Sequence, residues 1–174
     1  MPNSTIKILI VLLFILSLLG CKYAPSKGEL LSTVERENPN FSVRINCFRE
    51  KRTFAQALAG ANYIFEVKTK NEINSREIMF VELDDVIPID SKSIGFVNGN
   101  IGYVFMKRKY AVTTDGGMNW KIWDGIQFPL MKNDLSCGIQ NVNVEENGSG
   151  VMSLNCSDRR KELITKDFGI SWNQ

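Results

Sequence analysis

Two octapeptides of one pattern, 52 residues apart (165 − 113), constrain the fold of this chain more than any other feature. The first is Thr113-Thr114-Asp115-Gly116-Gly117-Met118-Asn119-Trp120 and the second is Thr165-Lys166-Asp167-Phe168-Gly169-Ile170-Ser171-Trp172. An Asp side chain accepts hydrogen bonds from backbone N–H groups a few residues on, and Gly accepts the positive φ of a tight turn. A Trp at the end of such a turn covers it with a large apolar face. Each octapeptide is therefore expected to join two strands. Thr113, Asp115, Gly117 and Trp120, and likewise Thr165, Asp167, Gly169 and Trp172, are expected to be structural residues.

The sequence around these turns repeats as well. At a shift of 48 residues, Ile94 falls on Val142, Phe96 on Val144, Gly102 on Gly150 and Val104 on Met152. The extra four residues of the second copy are placed between Cys156 and Lys161, as a longer turn. Alternation of apolar and polar residues predicts four antiparallel strands per copy. They are Ser93–Val97, Ile101–Lys107, Tyr110–Thr114 and Asn119–Trp123, then Ile139–Val144, Gly150–Asn155, Glu162–Lys166 and Ile170–Asn173. Further strand-like runs are Phe41–Phe48, Tyr63–Val67 and Ile78–Leu83, so residues 41–85 have room for a third, degenerate copy. Residues 29–37 have a weak helical spacing, and the pattern over 54–61 fits a helical turn as well as an irregular strand.

The octapeptides fit Ser/Thr-x-Asp-x-Gly-x-(Ser/Thr/Asn)-Trp, which resembles the Asp-box, the turn signature of BNR repeats in sialidase-like β-propeller blades. The resemblance implies an all-β, antiparallel fold of propeller-blade-like four-stranded repeats, two clear (about 91–124 and 138–174) and one degenerate. Closed propellers have about four to eight blades, so three imply an incomplete propeller or a sandwich with exposed edges. In those families the box is structural, not catalytic. Sialidases need an arginine triad, a Tyr–Glu pair and an acidic Asp spread over six blades, and this chain offers no such set. It also contains no His, the usual general base and commonest metal ligand. No catalytic residues, metal or cofactor are expected. Asp84, Asp85 and Asp90 near Pro88 lack Ca²⁺-loop spacing. Trp120, Trp123, Phe128 and Trp172 would serve a carbohydrate platform or the core, and the box itself favours the core for Trp120 and Trp172.

Targeting is legible at the N-terminus. Lys7 precedes the apolar run Ile8–Leu19, too short for a membrane span of roughly 20 residues and suited to a signal peptide. Leu18-Leu19-Gly20-Cys21 resembles a bacterial lipobox, which implies cleavage after residue 20 and lipidation of Cys21. The expected organisation is a signal peptide over 1–20, a lipidated tether with a short helix over 21–40, and one β domain over 41–174. Lys22 rather than Asp implies sorting to the outer membrane. Without Lys7 the balance is 20 basic to 19 acidic side chains, which argues against nucleic acid as a partner. Export permits disulfides. Cys137 and Cys156 flank a hairpin-like stretch and would face each other if its turn centres on Glu146 and Asn147. The competing assignment pairs Cys47 with one of them.

A lipobox, about 150 mature residues and Asp-boxes together resemble the immunity lipoproteins paired with type VI secretion lipase effectors. That resemblance implies a periplasmic protein, held to the membrane by its lipid anchor only, that binds and neutralises a secreted lipase. The basic clusters Lys107, Arg108 and Lys109, and Arg159 and Arg160, are the expected partner-binding residues. An envelope assembly or scaffolding lipoprotein, and a glycan-binding module, are the alternatives.

Overall fold

The computed structural model describes residues 28–49, 61–70, 72–82, 89–157 and 159–174, for 61, 62 and 72–82 the backbone alone. The leader, Cys21, the tether to residue 27, Asp84, Asp85 and residues 54–60 lie outside the described residues. The protein is all-β, with its described strands in three consecutive antiparallel meanders. The first sheet holds β1 (Glu29–Glu37), β2 (Phe41–Arg49), β3 (Ala61–Thr69) and β4 (Glu72–Glu82). The second holds β5 (Ile94–Phe96), β6 (Gly102–Met106), β7 (Lys109–Thr113) and β8 (Lys121–Asp124). The third holds β9 (Gly138–Val144), β10 (Gly150–Cys156) and β11 (Arg159–Thr165). Beside β11, Asn173 exchanges both backbone hydrogen bonds with Ile164, at 2.8 and 2.9 Å. A shift of 52 maps this pair onto Lys121 and Val112, which pair in the second sheet. Asn173 thus holds the place of a fourth strand.

The three sheets are stacked, and the second lies in the middle. Its Ile94, Val104, Met106 and Ala111 pack against Phe41, Val43, Ile45, Tyr63, Phe65 and Val67 of the first. Its other face, with Tyr103, Phe105, Tyr110 and Val112, packs against Ile139, Val142, Val144, Met152, Leu154 and Leu163 of the third. Covering on both sides explains why all five residues of β6 are buried, whereas β9 alternates buried and exposed toward its end. Burial of each such large apolar side chain contributes about 1.5–3 kcal/mol.

One backbone bond marks the three sheets as versions of one unit. Lys70 N donates to Asn40 O (3.0 Å), Gly116 N to Asn100 O (2.9 Å) and Phe168 N to Gly148 O (2.9 Å). In the last two the donor follows the box Asp. In the first it follows Thr69, so that sheet makes the same turn contact with Thr at the position of the acid.

Two expectations are corrected. Residues 29–37 are a strand, not a helix. The register passes from Leu30↔Phe48 to Ser32↔Cys47, so β1 carries one extra residue. Such a bulge brings neighbouring residues to one face and then restores alternation. Leu31 and Val34, three apart, can therefore both pack on the core, the spacing that suggests a helix. The four extra residues of the third sheet also do not lengthen a turn. Met106 pairs with Lys109 and Cys156 with Arg159, so both connections are equally tight. The four are divided between β10 and β11, each seven residues long against five for β6 and β7.

Candidate functional site

The two Asp-boxes are superimposable hydrogen-bond networks. Thr113 Oγ1 donates to Asp115 Oδ1 (2.9 Å) and accepts from Gly117 N (3.1 Å). Asp115 also accepts from Asn119 N at Oδ1 (2.9 Å) and from Asn119 Nδ2 at Oδ2 (2.8 Å). In the second box Thr165 takes the place of Thr113, and Asp167 accepts from Thr165 Oγ1 (2.7 Å), Ser171 N (2.9 Å) and Ser171 Oγ (2.6 Å). Partial burial acts against the charged forms. The donated hydrogen bonds outweigh it and hold both carboxyls below the usual carboxylate range. With both oxygens of each group occupied, these acids serve the turns.

The boxes also join the sheets. Trp120 lies edge-on to Phe65 and Phe41 of the first sheet, with centroids 5.1 and 6.2 Å away. Trp172 lies edge-on to Tyr110 of the second sheet at 5.6 Å. Each box therefore fastens its own sheet to the preceding one. The glycines follow the same rule. Gly117 (φ 87°) sits against Phe41 and Val67, and Gly169 (φ 83°) sits so close to the Tyr110 hydroxyl that a Cβ would collide with it.

Beside the boxes lies a second set of turns that the sequence reading missed. Asn38 Oδ1 accepts from Asn40 N (2.8 Å) and Phe41 N (2.9 Å), and Asn98 Oδ1 accepts from Asn100 N (2.9 Å) and Ile101 N (3.0 Å). The signal was an Asn-x-Asn-apolar pattern repeated at 60 residues. Asn40 Nδ2 then donates to Asn100 Oδ1 at 3.0 Å. Asn40, Asn100, Lys70, Asp115 and Met118 line a shallow hollow of about 310 Å³ at this end.

The opposite end holds the basic clusters and loop 125–137, and here the placement differs from the expectation. Arg108 is turned inward. It donates to the carbonyls of Met131 (2.8 Å), Asp134 (2.9 Å) and Cys137 (3.0 Å), and so holds the loop. Lys109 is paired with Asp124. Lys107 accepts a backbone hydrogen bond from Ile139 at its carbonyl. Arg159 and Arg160 are exposed on β11, where Arg160 donates to Ser153 Oγ (2.9 Å). Lys161 faces Asp134 at 3.7 Å. Cys137 and Cys156 form a disulfide, and Cys47 is a buried free thiol whose pKa is pushed up by burial. A bulge makes that pairing possible. Near the turn Val144 opposes Gly150, a register that would carry Gly138 to Cys156. The extra residue between Ile139 and Asn141 shifts the ladder by one and brings Cys137 opposite instead. The two sulfurs and the Asp134 carboxylate converge within 4.8 Å, and the disulfide removes both as thiolate ligands.

The aromatic residues are packed. Phe128 is fully buried and Trp172 nearly so. Trp123 stacks on Phe128 at 5.4 Å and carries the Lys121 ammonium 4.7 Å from its ring. Asp90 caps the short 3₁₀ turn Ser91–Ser93 by accepting from Lys92 N at 3.1 Å.

The third sheet is terminal, and its outer face is turned away from the second sheet. It carries Asn141, Asn143, Asn155, Arg160 and Glu162 around two apolar residues, Val151 and Ile164, which oppose each other across the ladder. Their exposures are 37% and 44%. Comparison of the chain with models of protein families, with curated proteins and with solved structures finds no match.

Proposed function

We propose that this protein is a periplasmic, lipid-anchored immunity protein that binds a secreted phospholipase and neutralises it. The observation that carries the reading is the uncovered face of the third sheet on a chain whose N-terminus resembles a lipobox. A blade in a closed propeller packs on two neighbours; here the third sheet offers one face to a partner. An apolar pair framed by amides and charges matches the arrangement of a protein interface, apolar at its centre and polar at its rim. Tight inhibition needs about 1,600 Å² of total interface, so the partner would extend beyond this face onto its rims. The anchor would hold the inhibitor where a lipase attacks. Glycan binding has less support, because the ring of Trp123 is already occupied by Phe128 and Lys121.

The test is capture of partners by the full acylated chain from an envelope extract and from the purified product of a neighbouring lipase gene. A stoichiometric complex in which lipase activity is lost is the expected result. Capture of resident envelope proteins, with the lipase left active, would instead establish a scaffolding lipoprotein.

A further inference from the structure

We propose that the end of the stack formed by loop 125–137 and the start of β11 docks on an anionic phospholipid surface. The inference rests on the lipid-anchor reading of Cys21 and not on the identity of any protein partner. Strand direction supplies the orientation. β2 and β6 start side by side at the asparagine turns, where Asn40 contacts Asn100 and Phe41 lies against Gly102. Both run from there toward the loop end. β1 is antiparallel to β2 and so begins at the loop end, with Glu29 opposite Arg49. Cys21 is eight residues before Glu29, at most about 28 Å of chain. Acylated, it would tether the chain to the bilayer from this end.

The surface at that end suits the location. Leu135 is 77% exposed and Ile126 61%, the two most exposed large apolar side chains described. They are rigidly mounted, because Phe128 and Met131 are fully buried, Arg108 holds three loop carbonyls and Cys137 is bonded to Cys156. Exposed Lys132 and Arg159 lie on the loop and at the start of β11. Asp134, the loop's acid, is paired with Lys161 and accepts a hydrogen bond from the Ser136 hydroxyl. Protruding apolar side chains among cations form the combination that enters an interface rich in anionic headgroups. An acidic protein surface would attract the same cations, but the segment that follows Cys21 enters the fold at this end.

The experiment reconstitutes the full acylated chain in phosphatidylcholine vesicles with and without phosphatidylglycerol, using brominated acyl chains that quench Trp on contact. Leu135→Trp should emit at shorter wavelength and be quenched beyond the parent protein when phosphatidylglycerol is present. Met118→Trp, at the opposite end and 58% exposed before substitution, should not be quenched. Quenching at 135 should fall at about 1 M salt, where the screening length is about 3 Å, and in Lys132→Glu/Arg159→Glu. Quenching at neither position, or equally at both, overturns the proposal. A Leu135→Trp shift produced by the lipase but not by vesicles also overturns it and assigns this end to the protein partner. The intact mass of the same preparation reports acylation of Cys21, so failure of the anchor is read separately and removes the orientation argument.

Discussion

Asp115 and Asp167 each accept from two or more donors in their turns, so their removal takes away the protein partner of the Asn119 and Ser171 backbone N–H groups. Asp115→Ala or Asp167→Ala should each lower stability by about 1–3 kcal/mol, read by urea unfolding. Unchanged midpoints in both would remove the structural account of the box. The same groups set a pH dependence. Both carboxyls titrate lower in the folded state than the unfolded value of about 3.9. Their stabilisation is thus complete above that value and lost as pH falls through the folded pKa. In Asp115→Asn/Asp167→Asn, stability should fall less steeply below about pH 4 than in the parent; parallel curves would contradict this. The two box glycines should differ. A Cβ at Gly117 would stand 3.0 Å from Phe41 and Val67 carbons, whereas one at Gly169 would collide with the hydroxyl of fully buried Tyr110. Positive φ costs each alanine variant about 1–2 kcal/mol, and Gly169→Ala should lose more. Tyr110→Phe should narrow the gap, and equal losses unmoved by it would refute the close approach.

The strands of the second and third sheets were legible because short apolar or alternating runs end at Gly, Asn and the boxes. The Cys137–Cys156 pairing was legible from the hairpin between them, although the bulge that aligns it was not. Bulges change which face a residue occupies without changing composition, and this also explains why Leu31 and Val34 suggested a helix in β1. Arg108 was misjudged for a different reason. Lys107-Arg108-Lys109 looks like a solvated basic turn, and nothing local shows that three carbonyls of a loop 23 to 29 residues later converge on one guanidinium. Planar multidentate donation is what distinguishes Arg from Lys. Arg108→Lys should therefore release loop 125–137, seen as faster amide exchange over that loop with the sheets unchanged. Exchange identical to the parent would show that the loop is held by the disulfide and the burial of Phe128 and Met131 alone.

The stack as a whole has one covered sheet between two terminal ones, and that asymmetry separates folding from binding. On the third sheet the inward residues Met152, Leu154 and Leu163 are fully buried and carry stability. The outward pair Val151 and Ile164 touches solvent, so changing it should leave the core intact. Surface substitutions away from special features usually fall within about 0.5 kcal/mol, and β11 tolerates charge on this face already, at Arg160 and Glu162. Val151→Arg/Ile164→Glu places a cross-strand ion pair at the centre of the proposed interface, where an apolar partner surface would have to desolvate both charges. The expected outcome is a melting temperature close to that of the parent, with capture and inhibition of the lipase weakened at least tenfold. Lys132→Glu/Arg159→Glu, at the loop end, should leave that capture unaffected in detergent. Loss of capture in the loop-end variant, with the Val151/Ile164 variant still inhibiting, would place the partner at the loop end and contradict both assignments at once.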